Sequence, residues 1–153
     1  MVQALTAGDL CTRETVIASR SSSLTEAARL MRERHVGSLV IVEERPSGRV
    51  PVGLITDRDL VTAVLAPDVD MHALRVDDVM NNEPVAVLEQ ASLFDALAAM
   101  RGRGVRRVVV TDAQGLLQGV LALDDIIEVV AEQMQAIAKA LASGRPREAQ
   151  RRA

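Results

Sequence analysis

Aromatic residues are almost absent from this sequence, which has no tryptophan, no tyrosine and a single phenylalanine among 153 residues. Proteins that bind single-stranded nucleic acid stack bases on aromatic rings, and many peptide-binding surfaces are anchored by aromatic side chains. The chain has 18 basic and 21 acidic residues, so it also lacks the positive field that attracts proteins to a phosphate backbone. We therefore predict that nucleic acid is not a partner, and that any ligand is held by backbone, aliphatic and charged groups.

Cysteine, histidine and long apolar runs are also scarce. Cys11 is the only cysteine, so no internal disulfide can form, and His35 and His72 alone do not complete a metal-ligand cluster. We expect Cys11 to serve as a small apolar core residue. No apolar run approaches the roughly 18 residues of a membrane span, and the first residues lack the layout of a signal peptide. These absences predict a cytoplasmic protein with no metal and no contact with a membrane.

The chain does contain an internal repeat, together with 48% apolar residues, which suffice for a core at this length. Residues 9–42 align with residues 78–111 at a constant offset of 69, and 11 of these 34 positions are identical. After a loop that is three residues longer in the first copy, the match resumes at Gly53 and Gly119. The identical pairs are Asp9/Asp78, Glu14/Glu83, Val16/Val85, Ser23/Ser92, Leu24/Leu93, Ala27/Ala96, Met31/Met100, Arg32/Arg101, Arg34/Arg103, Val36/Val105 and Val40/Val109.

Both copies show the same order of sequence patterns. A short β-rich piece precedes a helix with apolar residues three, four and seven apart, and each helix opens with a capping box, at Ser23 and Ser92. Two β-branched runs and a second helix follow. We predict an α/β (α+β) protein of two β-α-β-β-α units, residues 6–66 and 76–131, joined by a linker at 67–75. Each unit is too small to bury both faces of its sheet, so the two should pack with pseudo-twofold symmetry around a ligand cleft.

The last predicted helix extends beyond the second unit through residues 132–143. Its apolar residues lie three, four, three and four apart and form a narrow seam. Such a seam either supports dimerisation of a packed module or folds back on its own chain. Gly144 and Pro146 end the predicted helix, so residues 144–153 are expected to form a flexible tail. The seam residues are Ile127, Val130, Met134, Ile137 and Leu141.

The order of elements, its duplication and three segments resemble a tandem pair of cystathionine β-synthase (CBS) domains, in particular the small stand-alone bacterial members. Members of that family commonly bind AMP, ADP, ATP, NAD(H) or S-adenosylmethionine in the cleft and use its occupancy to regulate a partner. Their pairs often dimerise into disc-shaped modules. The resemblance therefore implies an adenine ligand, an unidentified regulated protein and a homodimer. The segments are VGSLVIV at 36–42, GLITDRDL at 53–60 and VRRVVV at 105–110.

Gly53, Thr56 and Asp59 stand where a predicted strand passes into a helix. Glycine permits close approach of a ligand, a helix N-terminus favours anions, and a carboxylate can accept hydrogen bonds from ribose hydroxyls. The same Thr-x-x-Asp spacing is also an ordinary capping box, which contributes about 1 kcal/mol to stability without any ligand. Spacing leaves both interpretations open, and the resemblance favours contact with the ribose or the adjoining phosphate.

The second copy departs from this pattern, because Ala122 replaces the threonine while Asp125 matches Asp59. The site therefore loses a hydroxyl and a capping group. We predict one good nucleotide site, built on Asp59, and a weaker second site with Asp125, Val85 and Val105.

Arg106 and Arg107 match a basic pair that faces ligand phosphates in family members such as the γ subunit of AMP-activated kinase. A guanidinium can donate two hydrogen bonds to one phosphate. We expect the phosphate to be reached by one of these arginines across the cleft, since alternate strand residues point to opposite faces. A solvated basic edge is the alternative. The family also implies an adenine pocket, and its residues are equally expected in the core: Thr15, Val16, Ile17, Val36 and Gly37.

No set of residues supports catalysis, since nucleophile, P-loop and dinucleotide-binding motifs are absent. We therefore predict a regulatory ligand-sensing module and not an enzyme. The alternative is an interaction or dimerisation module without a functional nucleotide site.

Overall fold

The computed structural model describes residues 5–152, with side chains for all of these except 145–150 and 152. Helices and strands follow the predicted order in each repeat, with an additional short helix at the start of each. The α-helices are α1 (Ala7–Leu10), α2 (Leu24–Arg34), α3 (Asp57–Leu60), α4 (Val76–Val79), α5 (Leu93–Arg103) and α6 (Leu123–Arg152). The strands are β1 (Ile17–Ala18), β2 (Ser38–Arg45), β3 (Gly48–Thr56), β4 (Ala86–Leu88), β5 (Arg107–Thr111) and β6 (Leu117–Ala122). A π-helical turn, Val61–Leu65, continues α3, and a 3-10 turn, Met71–Ala73, lies in the linker.

Each repeat contains one three-stranded sheet, in the order β1-β2-β3 or β4-β5-β6. In both sheets the first two strands are parallel and the last two antiparallel. Both antiparallel pairs carry an irregularity at the same place, between Ile41 and Val42 in β2 and between Val110 and Thr111 in β5. The structure thus confirms the predicted fold class. The two repeats match even in the position of this irregularity.

Two hydrophobic cores lie between the sheets and their helices. Leu39 and Ile41 of β2 are fully buried in the first core, and Val108 and Val110 of β5 occupy the second. Because strand residues alternate between faces, the intervening residues, such as Val109, lie on the opposite faces, toward the cleft. Burial on both faces accounts for the continuous runs of β-branched residues in these strands.

The two repeats exchange their first helices, which the sequence did not predict. Helix α4 opens the second repeat but packs in the first core, where Val76 is fully buried and donates its N–H to the Ser22 carbonyl at 3.0 Å. Helix α1 does the reverse, since Ala7 is buried in the second core and its N–H bonds the Ala91 carbonyl at 2.8 Å. Each core is therefore completed by a segment of the other repeat.

Helix α6 is longer than predicted and continues to Arg152. The predicted end of the helix at Gly144 is therefore wrong. The flexibility expected of residues 144–153 stays a prediction. Gly144 and Pro146 are poor helix formers, but the following residues, Arg-Glu-Ala-Gln-Arg-Arg, have high helix propensity. Within residues 5–152, no helix combines the length and the apolarity that crossing a membrane would require.

Candidate functional site

The cleft between the repeats contains a larger cavity of about 490 Å³, which we call the major cavity. This volume lies within the range of roughly 300–1,000 Å³ that is typical of small-molecule sites. The first repeat lines it with the junction of β3 and α3, and the second repeat with the approach to β4 and the loop between α5 and β5. Among the residues that line this cavity are Thr56, Asp57, Arg58, Asp59, Asn81, Pro84, Val85, Gly104, Val105, Arg106 and Arg107.

A smaller cavity of about 230 Å³, the minor cavity, is built from the corresponding elements with the repeats interchanged. Here the second repeat provides the junction of β6 and α6, and the first repeat provides the approach to β1 and the loop between α2 and β2. Arg107 lines both cavities. The other residues of the minor cavity are Thr12, Glu14, Thr15, Val16, Val36, Gly37, Ser38, Val120, Ala122 and Asp125.

Thr56 and Asp59 form a complete capping box at the start of α3. The backbone N–H of Thr56 donates to Oδ2 of Asp59 at 2.8 Å, and the backbone N–H of Asp59 donates to Oγ1 of Thr56 at 3.1 Å. The Asp59 Oδ1 atom makes no hydrogen bond to any described residue, so the carboxylate keeps one free acceptor while it caps the helix. Capping and ligand contact, the two interpretations of this spacing, are therefore compatible.

The second junction retains only half of this arrangement. The backbone N–H of Ala122 donates to Oδ2 of Asp125 at 3.0 Å, but Ala122 has no hydroxyl to return a bond to the first turn of α6. The second junction therefore lacks the hydrogen bond that a threonine hydroxyl would accept, as the sequence predicted.

Arg106 and Arg107 both line the major cavity, whereas alternation along a strand predicted only one. The prediction was wrong because β5 begins at Arg107, so Arg106 lies in the preceding loop, where alternation does not apply. Arg106 is exposed and its Nη2 lies 3.3 Å from Oδ1 of Asp124, an ion pair of the kind that contributes little to stability. Arg107 is half-buried.

The predicted partners of the two aspartates are interchanged in the structure. Thr15, Val16, Val36 and Gly37 line the minor cavity, where Asp125 lies, and not the cavity of Asp59. Conversely, the residues assigned to the weaker site, Val85 and Val105, line the major cavity. The physical reason is the pairing of the repeats, which sets the β-to-α junction of one repeat against the strand entrances of the other. Ile17, also predicted for the adenine pocket, lies in β1 and lines neither of these two cavities. Together with Thr15, Val16 and Val36 it lines a separate cavity of about 510 Å³.

Gly53 does not line the major cavity either. It is buried in β3 against the exchanged segment, where an added Cβ would collide with Sδ of Met80 and lie 3.1 Å from the Asn81 carbonyl. Two backbone bonds join Leu54 and Asn81 beside it, at 2.9 and 3.0 Å. Glycine at this position therefore allows close packing of the two repeats, and no approach of a ligand is needed to explain it.

Several lining residues were missed by the sequence analysis, among them Asn81 and Pro84 in the major cavity and Thr12 and Glu14 in the minor cavity. The offset of 69 was the available signal, because it pairs Thr12 with Asn81 and places both just before a first strand. Their position in the cleft depends on the exchange of α1 and α4, which no local pattern reveals.

The two cavities differ in charge. The major cavity has Arg58, Arg106 and Arg107 against Asp57 and Asp59, whereas the minor cavity has only the shared arginine against two carboxylates.

Behind the minor cavity, partial burial of Cys11 raises the pKa of its thiol, which therefore stays protonated at neutral pH. This residue packs against the second core, in agreement with the predicted apolar role.

Comparison with known proteins identifies the family. The model of the CBS domain matches the chain twice, at residues 7–66 and 76–132. The CBS domain-containing protein YhcV of Bacillus subtilis is 32% identical over 77% of this chain and 80% of its own length. An uncharacterized protein of Methanopyrus kandleri is 30% identical over 84% of the chain, which spans 64% of that relative.

A solved structure, that of a CBS domain protein of Pyrobaculum aerophilum complexed with AMP, has a TM-score of 0.70 at 27% identity. The match covers 78% of this chain and 88% of that one. The fold of that solved structure, the two matches to the family model and the duplicated sheets of this chain all indicate the same family. The chain therefore belongs to the CBS domain family, as a tandem pair of CBS domains.

Proposed function

We propose that this CBS pair binds an adenine nucleotide in the major cavity and that its occupancy regulates a partner protein. One observation carries the proposal: Thr56 and Asp59 of the first repeat line the same cavity as Arg106 and Arg107 of the second. A carboxylate suited to ribose hydroxyls thus faces guanidinium groups suited to phosphate across the cleft.

In this proposal Asp59 contacts the ribose through Oδ1, while Oδ2 remains bonded to the N–H of Thr56. The capping box holds the carboxylate in one orientation before the ligand arrives, so little side-chain entropy is lost on binding. The start of α3 also presents the positive end of backbone dipoles to the cavity.

In this proposal Arg107 makes the stronger contact with the phosphate and Arg106 the weaker one. Arg107 is half-buried and therefore partly shielded from solvent, which strengthens its interaction with an anion. Arg106 is exposed, and its surface ion pair with Asp124 can be exchanged for a phosphate at little cost.

Aliphatic side chains of the second repeat, Val85 and Val105, provide apolar contacts for the adenine ring in the major cavity. The AMP complex of the Pyrobaculum aerophilum CBS protein supports this ligand class. The minor cavity, with Asp125 and the walls Thr15, Val16, Val36 and Gly37, is proposed as the weaker site. It is smaller and has one arginine against two carboxylates.

A ligand that contacts both repeats can bias their relative orientation only by its differential affinity for the two arrangements. Regulation of a partner by such a bias requires no bond making or breaking, in agreement with the absence of catalytic motifs from the sequence.

The test is a thermal-shift and calorimetry panel of AMP, ADP, ATP, NADH and S-adenosylmethionine on the wild type and on Asp59→Asn and Asp125→Asn. Asparagine keeps an oxygen that can accept the capping bond but removes the carboxylate charge. A ligand that binds the folded state raises Tm. We expect at least one nucleotide to raise Tm of the wild type and of Asp125→Asn, and to bind Asp59→Asn about tenfold or more weakly, which corresponds to about 1.4 kcal/mol.

The absence of any shift across the panel would contradict nucleotide binding. Two equal sites per chain, or tighter binding to Asp59→Asn than to Asp125→Asn, would contradict the assignment of the major cavity.

A second candidate function, that of an interaction or dimerisation module, is favoured by a separate observation. The apolar seam on α6 is exposed, so among the described residues it does not fold back on its own chain. Self-association through this face is compatible with nucleotide binding in the cleft.

A further inference from the structure

The side chain of Arg107 is shared by the two cavities of the cleft. Arg107 is paired across the sheet with Ala122, which lines the minor cavity. Val109, the next residue on the same face of β5, lines the major cavity. The cavities also adjoin, since the N–H of Asp57, in the major cavity, bonds the carbonyl of Gly37, in the minor one, at 2.9 Å. Arg107 therefore lies between the two cavities, within reach of a ligand in either.

The guanidinium of Arg107 is not committed to a protein partner. No carboxylate among the described side chains lies within ion-pair distance of it, whereas Arg106 is paired with Asp124. An arginine side chain has several rotatable bonds and can bind one phosphate through two hydrogen bonds. Arg107 can thus turn to a phosphate in either cavity, but its single charge cannot neutralise two phosphates at once.

The corresponding position of the first repeat does not supply a second arginine. Ser38 begins β2 and is paired with Thr56, as Arg107 begins β5 and is paired with Ala122. A serine has a short side chain and no charge. The boundary between the cavities therefore has one guanidinium, where two identical repeats would provide two.

The minor cavity depends on Arg107 more than the major cavity does. Without this arginine, the charged side chains that line the minor cavity are Glu14 and Asp125. The major cavity would still have Arg58 and Arg106 against its two aspartates. A phosphate monoester carries a charge of about −1.5 to −2 at neutral pH, and two carboxylates without a cation repel it. The minor cavity can therefore hold a phosphate only while Arg107 turns toward it.

We propose that the two cavities compete for Arg107, so that each chain holds one phosphate-bearing nucleotide tightly at a time. A nucleotide in the major cavity engages Arg107 and leaves the minor cavity to a ligand without phosphate, a nucleoside. By linkage, a phosphate in the minor cavity weakens nucleotide binding in the major cavity by the same factor. The inference rests on the proposed nucleotide function and adds the relation between its two sites.

The first test measures this coupling by calorimetry on the full chain, with AMP and adenosine as probes. Asn81→Trp is designed to block the major cavity, because the exposed Asn81 lines it. AMP should bind the minor cavity of this variant about tenfold or more tightly than a second AMP binds the wild type, since Arg107 is not engaged elsewhere. Adenosine should bind the minor cavity equally in the variant and in the wild type saturated with AMP.

Two controls establish that the variant serves its purpose. A stoichiometry of one adenosine per chain shows that the major cavity is blocked, and an unchanged Tm shows that the variant folds. If AMP binds the variant no more tightly than a second AMP binds the wild type, the cavities are independent, and the inference is overturned while the proposed function stands. If the wild type binds no AMP at all, the proposed function itself is contradicted.

The second test supplies a second guanidinium. Ser38→Arg places an arginine at the position that corresponds to Arg107, so each cavity can have its own. The second AMP should then bind about tenfold or more tightly than it binds the wild type. Ala98→Arg adds the same charge on the exposed face of α5, outside both cavities, and should leave the second AMP as weak as before.

Equal gains in Ser38→Arg and Ala98→Arg would assign the effect to net charge and overturn the inference, as would the absence of a gain in a folded Ser38→Arg. The two tests alter different repeats, so misfolding of one variant leaves the other test decisive.

Discussion

The major and minor cavities are built from corresponding positions of a duplicated unit, yet their side chains differ where a ligand would be bound. The major cavity has Arg106 and Arg107 where the corresponding positions of the first repeat, in the minor cavity, are Gly37 and Ser38. The minor cavity is less than half the volume of the other. The comparison teaches that the two repeats share one backbone arrangement, whereas the arginines proposed to bind phosphate come from the second repeat alone.

The same asymmetry extends to the helix starts. Thr56 completes the capping box in the major cavity, whereas Ala122 leaves the corresponding box incomplete in the minor one. The major cavity thus has both the greater positive charge and the complete capping box, and three sets of substitutions test how far the asymmetry goes.

The largest expected effect comes from Arg107→Ala, which removes the guanidinium common to both cavities. A hydrogen bond to a charged group contributes about 1.5–3 kcal/mol, so AMP should bind roughly 10- to 100-fold more weakly by calorimetry. Adenosine, which has no phosphate, should bind the variant as it binds the wild type. Arg106→Ala should cost less, because Arg106 is exposed and already paired with Asp124.

The exposed Arg101, on α5 outside both cavities, provides the matched control. Equal losses for AMP in Arg107→Ala and Arg101→Ala, or equal losses for AMP and adenosine, would refute the assigned role.

The second effect concerns how tightly each repeat holds the exchanged segment of the other. A Cβ added at Gly119 would lie 2.6 Å from the backbone carbonyl of Thr12, which cannot move independently. At Gly53 the main collision is with Met80, whose flexible side chain can shift. Gly119→Ala should therefore lower the free energy of unfolding by about 1–3 kcal/mol, and Gly53→Ala by less, in urea titrations.

Gly102→Ala is the control for this pair, since Gly102 lies in α5 with open space around it. It should leave stability unchanged or raise it by up to about 1 kcal/mol. A greater loss in Gly53→Ala than in Gly119→Ala would contradict the account.

The smallest expected effect is a gain of stability in Ala122→Thr. The new hydroxyl can accept a hydrogen bond from the N–H of Asp125, as Thr56 does from Asp59. The free energy of unfolding should rise by about 1 kcal/mol, and Thr56→Ala should lower it by a similar amount. If both substitutions destabilise the protein in urea titrations, the two junctions do not work in the same way.

Much of the fold was predictable because its signals are local. The capping boxes at Ser23 and Ser92 mark the starts of α2 and α5, and both are present in the structure. The repeat itself was visible as identities at a constant offset. The end of α6 was predicted wrongly, because the propensity of the residues after Pro146 outweighs a single pair of helix breakers.

The candidate site was only half predictable. Asp59 and Arg107 were both singled out, and the structure places them in one cavity. Their neighbours were not, because Val16 and Val85 were each assigned to the wrong aspartate. A sequence shows which residues correspond between repeats, but not whether a site is completed by its own repeat or by the other.

The sequence by itself determined the duplicated unit, the order of helices and strands, and the asymmetry between a threonine and an alanine or between two arginines and a Gly-Ser pair. These features depend on periodicity and residue chemistry, which act over a few neighbouring residues. The tertiary structure alone decided the exchange of α1 and α4, the interchange of cavity walls and the exposure of the apolar seam on α6. Those outcomes depend on packing between segments that are distant in the sequence, such as Val76 with Ser22 and Ala7 with Ala91, and such packing energies leave no pattern within either segment.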